Sequence, residues 1–148
     1  MHGKSVILAN SIKGGTGKST SLALAIDIIK KSEVKMVVYD CDPRNVSSLS
    51  RWTHTQKVNV RNERELDQII IKAIEGDEQV VILDLPGSSA DLLQPYLEVA
   101  GSWLNQKGVK LNVVHPLTAD DATLNAAIQW SQTFLGIADF SVIISQKD

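Results

Sequence analysis

The sequence predicts an α/β fold, doubly wound around a mainly parallel sheet that is flanked by helices. Three observations predict it: short apolar runs alternate with amphipathic helical patterns, the apolar runs lack polar–apolar alternation, and a glycine-rich loop joins the first run to the first helical pattern. Continuous apolar runs are typical of strands buried on both faces, and strand–helix alternation is typical of parallel strands joined by right-handed crossovers. The ligand of such a fold lies outside the carboxyl ends of the strands.

The predicted elements follow one another along the chain without a linker or an internal repeat. Strands are predicted at residues 5–10, 35–40, 79–85, 109–115 and 140–145. Helices are predicted at residues 18–31, 63–75, 90–106 and 119–135. A chain of 148 residues is long enough for one ordinary core and too short for two. We therefore expect a single domain over residues 1–148.

Composition narrows the function classes. A net charge of −2 gives no overall basic signature for nucleic acid, although a local patch stays possible. Cys41 is the only cysteine, which excludes an intramolecular disulfide and favours a reducing, cytoplasmic setting. No apolar run reaches the roughly 18 residues that a membrane span needs.

The glycine-rich loop between the first strand and the first helix is the main functional motif. Residues 13–20 read Lys-Gly-Gly-Thr-Gly-Lys-Ser-Thr. Glycines let the backbone wrap closely around phosphate oxygens, and the helix N-terminus adds its positive dipole end. Lys18 is expected to bridge the β- and γ-phosphates, Ser19 to coordinate Mg²⁺ and Thr20 to donate to the α-phosphate. The predicted phosphate-binding residues are Gly14, Gly15, Thr16, Gly17, Lys18, Ser19 and Thr20.

This loop departs from the general phosphate-binding pattern at one position. That pattern has a glycine five residues before Gly17, where this sequence has Ile12. The simpler alternative is a glycine-rich turn between a strand and a helix, without a ligand.

Three aspartates lie at or just after the ends of two of the predicted strands. Asp40 and Asp42 are two residues apart, so in an extended segment they point to one side, and two carboxylates beside phosphate let one hold a cation while the other orients a nucleophile. Asp84 ends a buried apolar strand, where a carboxylate needs a partner such as Mg²⁺. Gly87, after Pro86, is expected to lie in a loop that senses the γ-phosphate. For residues 40–43 an ordinary Asp-Pro turn is the alternative.

These motifs, in this order, resemble the ParA/MinD family of deviant Walker ATPases of the P-loop class. The matching segments are the loop with its additional lysine, Lys13, the segment Val-Val-Tyr-Asp-Cys-Asp-Pro-Arg at 37–44, and Val-Val-Ile-Leu-Asp-Leu-Pro-Gly at 80–87. The resemblance implies that Lys13 reaches the nucleotide of a partner subunit and stabilises charge on the transferring phosphoryl group. It also implies that Asp42 positions the attacking water and that Asp40 lies nearer the metal shell. The implied catalytic set is Lys13, Lys18 and Asp42, and the implied metal set is Ser19, Asp40 and Asp84.

The resemblance covers about residues 4–145. Family members usually continue past a strand such as 140–145 with elements that hold the adenine base, so we expect a short or truncated member whose base specificity is open.

The leading functional hypothesis is a ParA-like ATPase that binds ATP and Mg²⁺, dimerises around nucleotide and hydrolyses it slowly. The resemblance implies a role in plasmid partition or stability, conjugal transfer or intracellular positioning, with a protein partner that stimulates hydrolysis. A DNA or membrane matrix is possible but is not indicated by charge. Two alternatives stay open: a P-loop metabolic kinase or ATP-dependent ligase similar to dethiobiotin synthetase, and an interaction module that binds nucleotide without turnover. Lys13 favours the first hypothesis, because such metabolic enzymes generally lack it.

Other polar and aromatic residues are expected to be structural. The three histidines lack ligand spacing, the tryptophans lie in or beside helical patterns where packing is expected, and the arginines after the second strand are expected on a solvated face. The thiolate of Cys41 is expected to be disfavoured by its two flanking aspartates. These residues are His2, His54, His115, Trp52, Trp103, Trp130, Arg44, Arg51, Arg61 and Arg64.

Overall fold

The computed structural model describes residues 3–9, 18–42, 48–86 and 90–144. Within these residues six parallel strands form one sheet, in the order β3-β2-β4-β1-β5-β6. The strands are β1 Lys4–Ala9, β2 Met36–Asp40, β3 Thr55–Lys57, β4 Val80–Asp84, β5 Val109–Leu117 and β6 Ala138–Ile144. The predicted α/β fold with a parallel sheet is confirmed.

Four α-helices and one short 3-10 helix connect the strands in the described part of the chain. They are α1 Lys18–Lys30, the 3-10 helix Ser48–Arg51, α2 Glu63–Glu75, α3 Ala90–Gln106 and α4 Asp121–Thr133. Two helix starts are capped by a side chain: Asn62 accepts a hydrogen bond from the Arg64 N–H, and Asp120 from the Ala122 N–H. Such caps satisfy N–H groups that have no partner inside the helix, so they fix where α2 and α4 begin.

Helices cover both faces of the sheet, as the doubly wound prediction requires. On one face, α2, α3 and α4 pack on a large core that includes Ile70, Leu97 and Trp130. On the other face, α1 and the 3-10 helix pack on a smaller core that includes Leu22, Ile26 and Leu49. No helix in the described part of the chain is long and apolar enough to cross a membrane.

The structure corrects two expectations about elements and packing. Strand β3 was not predicted, because its three residues are all polar. Among the tryptophans, Trp130 is buried and stacks on Phe134 with ring centroids 5.0 Å apart, as expected. The expectation of packing is wrong for Trp52, which is 57% exposed, and holds only in part for Trp103, which is 39% exposed.

The sheet topology defines one place where ligands are expected. The connection from β1 passes β4 and leads to β2, toward one edge of the sheet. The connection from β4 passes β1 and leads to β5, toward the other edge. Connections that diverge in this way open a crevice at the carboxyl ends of the strands. That crevice lies where β1 and β4, which are direct neighbours, both end.

Candidate functional site

Lys18, the first residue of α1, reaches across to the end of β4. Its Nζ lies 2.7 Å from Asp84 Oδ1 and also donates a hydrogen bond to the carbonyl oxygen of Leu85. Both side chains are largely buried, with 19% of Lys18 and 6% of Asp84 exposed. A buried ion pair therefore lies at the crevice where the fold places its ligand.

Strand alternation explains why Asp84 meets Lys18. Val80 and Ile82 precede Asp84 at two-residue steps, and both belong to the core beneath α1. Alternate residues of a strand point to the same face, so the Asp84 side chain lies on the α1 face. The sequence thus places the carboxylate and the first residue of the helix on the same side of the sheet.

Asp40 lies beside Asp84 at the end of β2. The two residues are register partners, so they lie on the same face of neighbouring strands. Asp40 Oδ2 is 3.1 Å from Lys57 Nζ, and Oδ1 accepts a hydrogen bond from the Asp42 N–H at 3.0 Å. Asp40 is 2% exposed, so these contacts hold a carboxylate that is removed from water.

A hydrogen bond joins Asp40 to Asp42. The Asp40 Oδ1 accepts from the Asp42 N–H at 3.0 Å, which is the contact of an Asx turn. Strand β2 ends at Asp40, so this bond holds the backbone of Asp42 beside the Asp40 carboxylate. That the two carboxylates point to one side stays a prediction.

Cys41 lies between these carboxylates and is fully buried. Burial, followed by the negative charges of Asp84 and Asp40, raises the pKa of its thiol to about 12. The expectation that the thiolate is disfavoured is confirmed, although burial is the larger cause. Its backbone N–H donates to the Asp84 carbonyl at 3.0 Å, which extends the contact between β2 and β4 to the edge of the site.

Sequence reasoning missed Lys57. This residue ends β3, pairs with Asp40 and is separated from it by 17 residues. A lysine at the end of a short polar run after an Asp-Pro motif is a weak signal, and only the pairing of β3 with β2 brings the two charges together.

Several predicted site residues lie outside the described residues. Lys13, Gly14, Gly15, Thr16, Gly17 and Gly87 are among them. Arg44 and His2, which were expected to be structural, also lie outside the described residues. Ser19 is in the first turn of α1, but its side chain is not described, whereas Thr20 is exposed on the same turn. The structure therefore brings together Lys18, Asp40, Asp42 and Asp84 from the predicted set.

The exposure of the other histidines and arginines can be compared with the roles expected for them. His54, Arg51, Arg61 and Arg64 are exposed, whereas His115 is buried and stacks on Phe140 with ring centroids 5.6 Å apart. Burial lowers the pKa of His115 to about 4. Within the described residues, no group of three or more His, Cys, Asp or Glu side chains forms a metal cluster.

The donor set at this crevice fits Mg²⁺ bound together with phosphate. Protein Mg²⁺ sites use one or two carboxylates and complete the shell with water and substrate oxygens. Asp84, a buried carboxylate at a strand end, has that chemistry.

A lysine at a helix start and a carboxylate at the end of the neighbouring parallel strand define a nucleotide-binding α/β domain. The chain belongs to the CobQ/CobB/MinD/ParA nucleotide binding domain family, whose model matches residues 7–143. No curated protein matches the chain.

Solved structures share the fold at low sequence identity. Chloroplast FtsY from Physcomitrella patens is 21% identical with a TM-score of 0.62, over 94% of this chain and 49% of that one. The kinase domain of the Escherichia coli tyrosine kinase ETK is 13% identical with a TM-score of 0.62, over 98% and 69%. A proposed plasmid partition protein from Borrelia burgdorferi B31, bound to AMPPNP, is 15% identical with a TM-score of 0.53, over 99% and 78%. The chain thus spans about half of the FtsY chain, and these likenesses show the fold alone.

Proposed function

We propose that this protein is a ParA-like ATPase, a Mg-ATP-dependent switch that dimerises around nucleotide and is reset by slow hydrolysis. The observation that carries the proposal is the buried contact of Lys18 with Asp84 at the carboxyl ends of β1 and β4. Membership of the CobQ/CobB/MinD/ParA nucleotide binding domain family supports it.

Lys18 has two sets of possible partners in this proposal. Its ammonium contacts Asp84 and Leu85 in the structure, and it would hold the β- and γ-phosphates of ATP. When Lys18 contacts phosphate, the Asp84 carboxylate needs another cation, because a buried charge without a partner is costly. Ser19, Asp84 and Asp40 would hold Mg²⁺, which neutralises charge on the phosphates.

Asp42 is proposed to orient the attacking water. Its position is set by Asp40, whose Oδ1 accepts the Asp42 N–H, and Asp40 is held in turn by Lys57. This chain of contacts makes Asp40 and Lys57 positioning residues for Asp42. Lys13 is proposed to act on the nucleotide of the partner subunit, where its charge would stabilise the transferring phosphoryl group.

ATP is proposed as the nucleotide. The Borrelia burgdorferi B31 protein of the same fold was solved with AMPPNP, an ATP analogue, which supports this choice. Calorimetry with ATP and GTP on the same preparation tests this choice directly. Tighter binding of GTP would contradict it.

The cellular role proposed is plasmid partition or stability, conjugal transfer or positioning in the cytoplasm. A fold shared with two Borrelia burgdorferi plasmid partition proteins supports this class of role. A protein partner that stimulates hydrolysis is part of the proposal, since a switch that resets slowly needs a trigger.

The proposal is tested by light scattering after size-exclusion chromatography, at one protein concentration. The states compared are nucleotide-free, with ADP, and with a slowly hydrolysed ATP analogue, the last two with Mg²⁺. We expect the analogue alone to increase the dimer fraction. The same mass in all three states, with nucleotide bound, would contradict the switch and favour a metabolic enzyme or a binding module.

A further inference from the structure

The connection between β2 and α2 differs in charge from the rest of the chain. Residues 43–62 contain four of the 15 lysines and arginines and none of the 17 aspartates and glutamates. The overall charge of −2 therefore divides into +4 for this connection and −6 for all other residues. A small net charge can thus conceal a basic surface, because binding depends on how the charges are distributed.

The described part of this connection lies along the edge of the sheet that β3 forms. Among the described strands β3 is first in the sheet order and pairs with β2 alone. The end of α1 adjoins it, because Lys30 Nζ donates a hydrogen bond to the carbonyl oxygen of Trp52. We call this region the β3 surface and define it by the exposed residues Lys30, Arg51, Trp52, His54 and Lys57. We propose that the β3 surface binds single-stranded nucleic acid.

The end of the 3-10 helix presents Trp52 to solvent. The N–H groups of Trp52 and Thr53 donate to the carbonyl oxygen of Leu49 at 2.9 and 3.1 Å. Leu49 is fully buried in the core that α1 covers, so it anchors this turn, whereas Trp52 is 57% exposed. His54 follows two residues later and is also exposed. Exposed indole and imidazole rings stack on nucleic-acid bases, and stacking accepts any base because every base has a π-face.

Two cations flank Trp52 at this end of β3. Arg51 precedes it in the chain, and the Lys30 ammonium contacts its carbonyl oxygen. Asp27 is the acidic residue of α1, and its carboxylate contacts Lys31 at 3.1 Å. The negative charge of α1 is therefore paired with Lys31, while Lys30 and Arg51 give the surroundings of Trp52 a positive charge.

A third cation lies at the other end of β3. Lys57 is five residues from Trp52, a distance of at most about 17 Å along an extended chain. Its Nζ is 3.1 Å from Asp40 Oδ2, so part of its charge is neutralised. The β3 surface thus carries positive charge at both ends and aromatic rings at one end, over a length that suits a few nucleotides.

This combination of groups fits a single strand better than other polyanions. Lysine and arginine side chains bind phosphates, and an exposed ring binds an unpaired base. A duplex offers the phosphates but keeps its bases stacked on one another. An acidic protein segment offers carboxylates but no base. Only a single strand uses the cations and Trp52 together.

The number of contacts predicts weak, salt-dependent binding. With three cations, the logarithm of the association constant should fall with the logarithm of the salt concentration at a slope of about −2. We expect a dissociation constant on the order of 10–100 µM at about 50 mM salt. Weak binding of this kind does not depend on ATP, because the β3 surface does not include Lys18 or Asp84.

The test is fluorescence anisotropy of a labelled oligothymidylate of about 20 nucleotides, titrated with the whole chain in EDTA without ATP. Trp52→Leu should lower the affinity about tenfold, because one stacked base is lost. Arg51→Gln should lower it about threefold and make the salt dependence shallower. An oligouridylate of the same length shows whether DNA or RNA binds more tightly.

Two substitutions elsewhere are matched controls. Trp103→Leu removes a tryptophan of α3 that is 39% exposed, and Lys72→Gln removes an exposed cation of α2. Both variants should bind the oligonucleotide as the wild type does. Stacking also quenches indole fluorescence, so the oligonucleotide should quench the wild type and Trp103→Leu but not Trp52→Leu. Each of the substituted side chains is at least partly exposed, so all four variants should keep the thermal unfolding midpoint of the parent.

Any of four results would overturn the proposal. Three of them are no binding at about 300 µM protein, equal weakening by Trp52→Leu and Trp103→Leu, and equal affinity for a duplex of the same length. The fourth is displacement of the oligonucleotide by polyglutamate at equal charge, which would assign the surface to acidic protein segments. Calorimetry with ATP is scored separately, so failure of this proposal leaves the proposed ATPase function intact.

Discussion

The carboxyl ends of β1, β2 and β4 contrast with the surface formed by α4 and β6. At the strand ends, the buried carboxylates Asp40 and Asp84 each contact a lysine that comes from a different element. On α4 and β6, apolar side chains such as Leu124, Ile128 and Val142 are exposed. Buried charges are stable only while they have partners, so the first region suits partner exchange with a charged ligand. Exposed apolar side chains are stabilised when other residues cover them, so the second region suits packing rather than ligand exchange.

The largest effect expected is loss of nucleotide binding in Lys18→Ala. This change removes the ammonium that would hold the phosphates, and we expect ATP affinity to fall at least about 100-fold, or about 3 kcal/mol. Calorimetry with Mg-ATP measures the loss.

Lys57→Ala is the matched control for Lys18→Ala. It also removes a lysine from a buried aspartate, but at Asp40 rather than Asp84. We expect it to retain ATP binding within about threefold while hydrolysis slows, because Lys57 is assigned to positioning. Equal loss of ATP binding in both variants would mean that removing either lysine disturbs the structure. The different roles assigned to the Lys18–Asp84 and Lys57–Asp40 pairs would then be contradicted.

A titration effect is expected at His115, a buried residue of β5. The pKa of His115 is lowered from 6.5 to about 4 by burial, so the unfolded chain takes up the proton first as the pH falls. The neutral, buried His115 therefore contributes to the free energy of unfolding in full above pH 6.5. This contribution is lost as the pH falls toward 4, and the total loss is about 3 kcal/mol. Urea unfolding of the wild type and of His115→Gln at pH 7 and pH 5 measures this difference.

The exposed His54 supplies the comparison for His115. Between pH 7 and pH 5, His54→Gln should lose as much stability as the wild type, because His54 is exposed. His115→Gln should lose less stability than the wild type over the same range. The same pH dependence in all three proteins would show that His115 is not the group responsible.

A smaller change is expected in Asp84→Asn. The neutral amide competes less with phosphate for Lys18, so nucleotide binding without Mg²⁺ should strengthen by several-fold, about 1 kcal/mol. The additional affinity that Mg²⁺ provides should fall, because one of the three proposed metal ligands, Ser19, Asp40 and Asp84, is gone. Titration with and without Mg²⁺ measures both effects, and an unchanged Mg²⁺ response would remove Asp84 from the proposed metal ligands.

The smallest effect is expected at Cys41. Its thiol is buried with a pKa of about 12, so thiol reagents should react only after unfolding. Cys41→Ala should change ATP affinity by less than about twofold and lower stability by about 1 kcal/mol. Rapid labelling of the folded protein would contradict the described burial.

Most of the fold followed from the sequence because its signals are local. The predicted bounds of the helices at 63–75 and 90–106 match α2 and α3, and five of the six described strands were predicted within a few residues. Strand β3 was missed because Thr55, Gln56 and Lys57 carry no apolar pattern and form a strand only by pairing with β2.

The candidate site was predictable in its residue types but not in its contacts. Asp40 and Asp84 were predicted to lie at the carboxyl ends of the strands, because each ends a buried apolar run. The contact of Lys18 with Asp84 joins residues 66 positions apart, and that of Lys57 with Asp40 joins residues 17 apart. Such contacts depend on the order of the strands, which no local pattern contains. The hydrogen bond from the Asp42 N–H to the Asp40 carboxylate was not predicted either.

Mixing two inactive variants tests the proposed switch most directly. Lys13→Ala should bind ATP as a monomer but neither dimerise with ATP nor hydrolyse it, whereas Asp42→Ala should bind ATP and stay in that state. If Lys13 acts on the partner's nucleotide, a mixed dimer contains one site with an intact lysine and an intact aspartate. The account predicts that titrating Lys13→Ala into Asp42→Ala restores measurable ATPase activity. A mixture that forms the mixed dimer and stays inactive, or normal hydrolysis by Lys13→Ala alone, would contradict it.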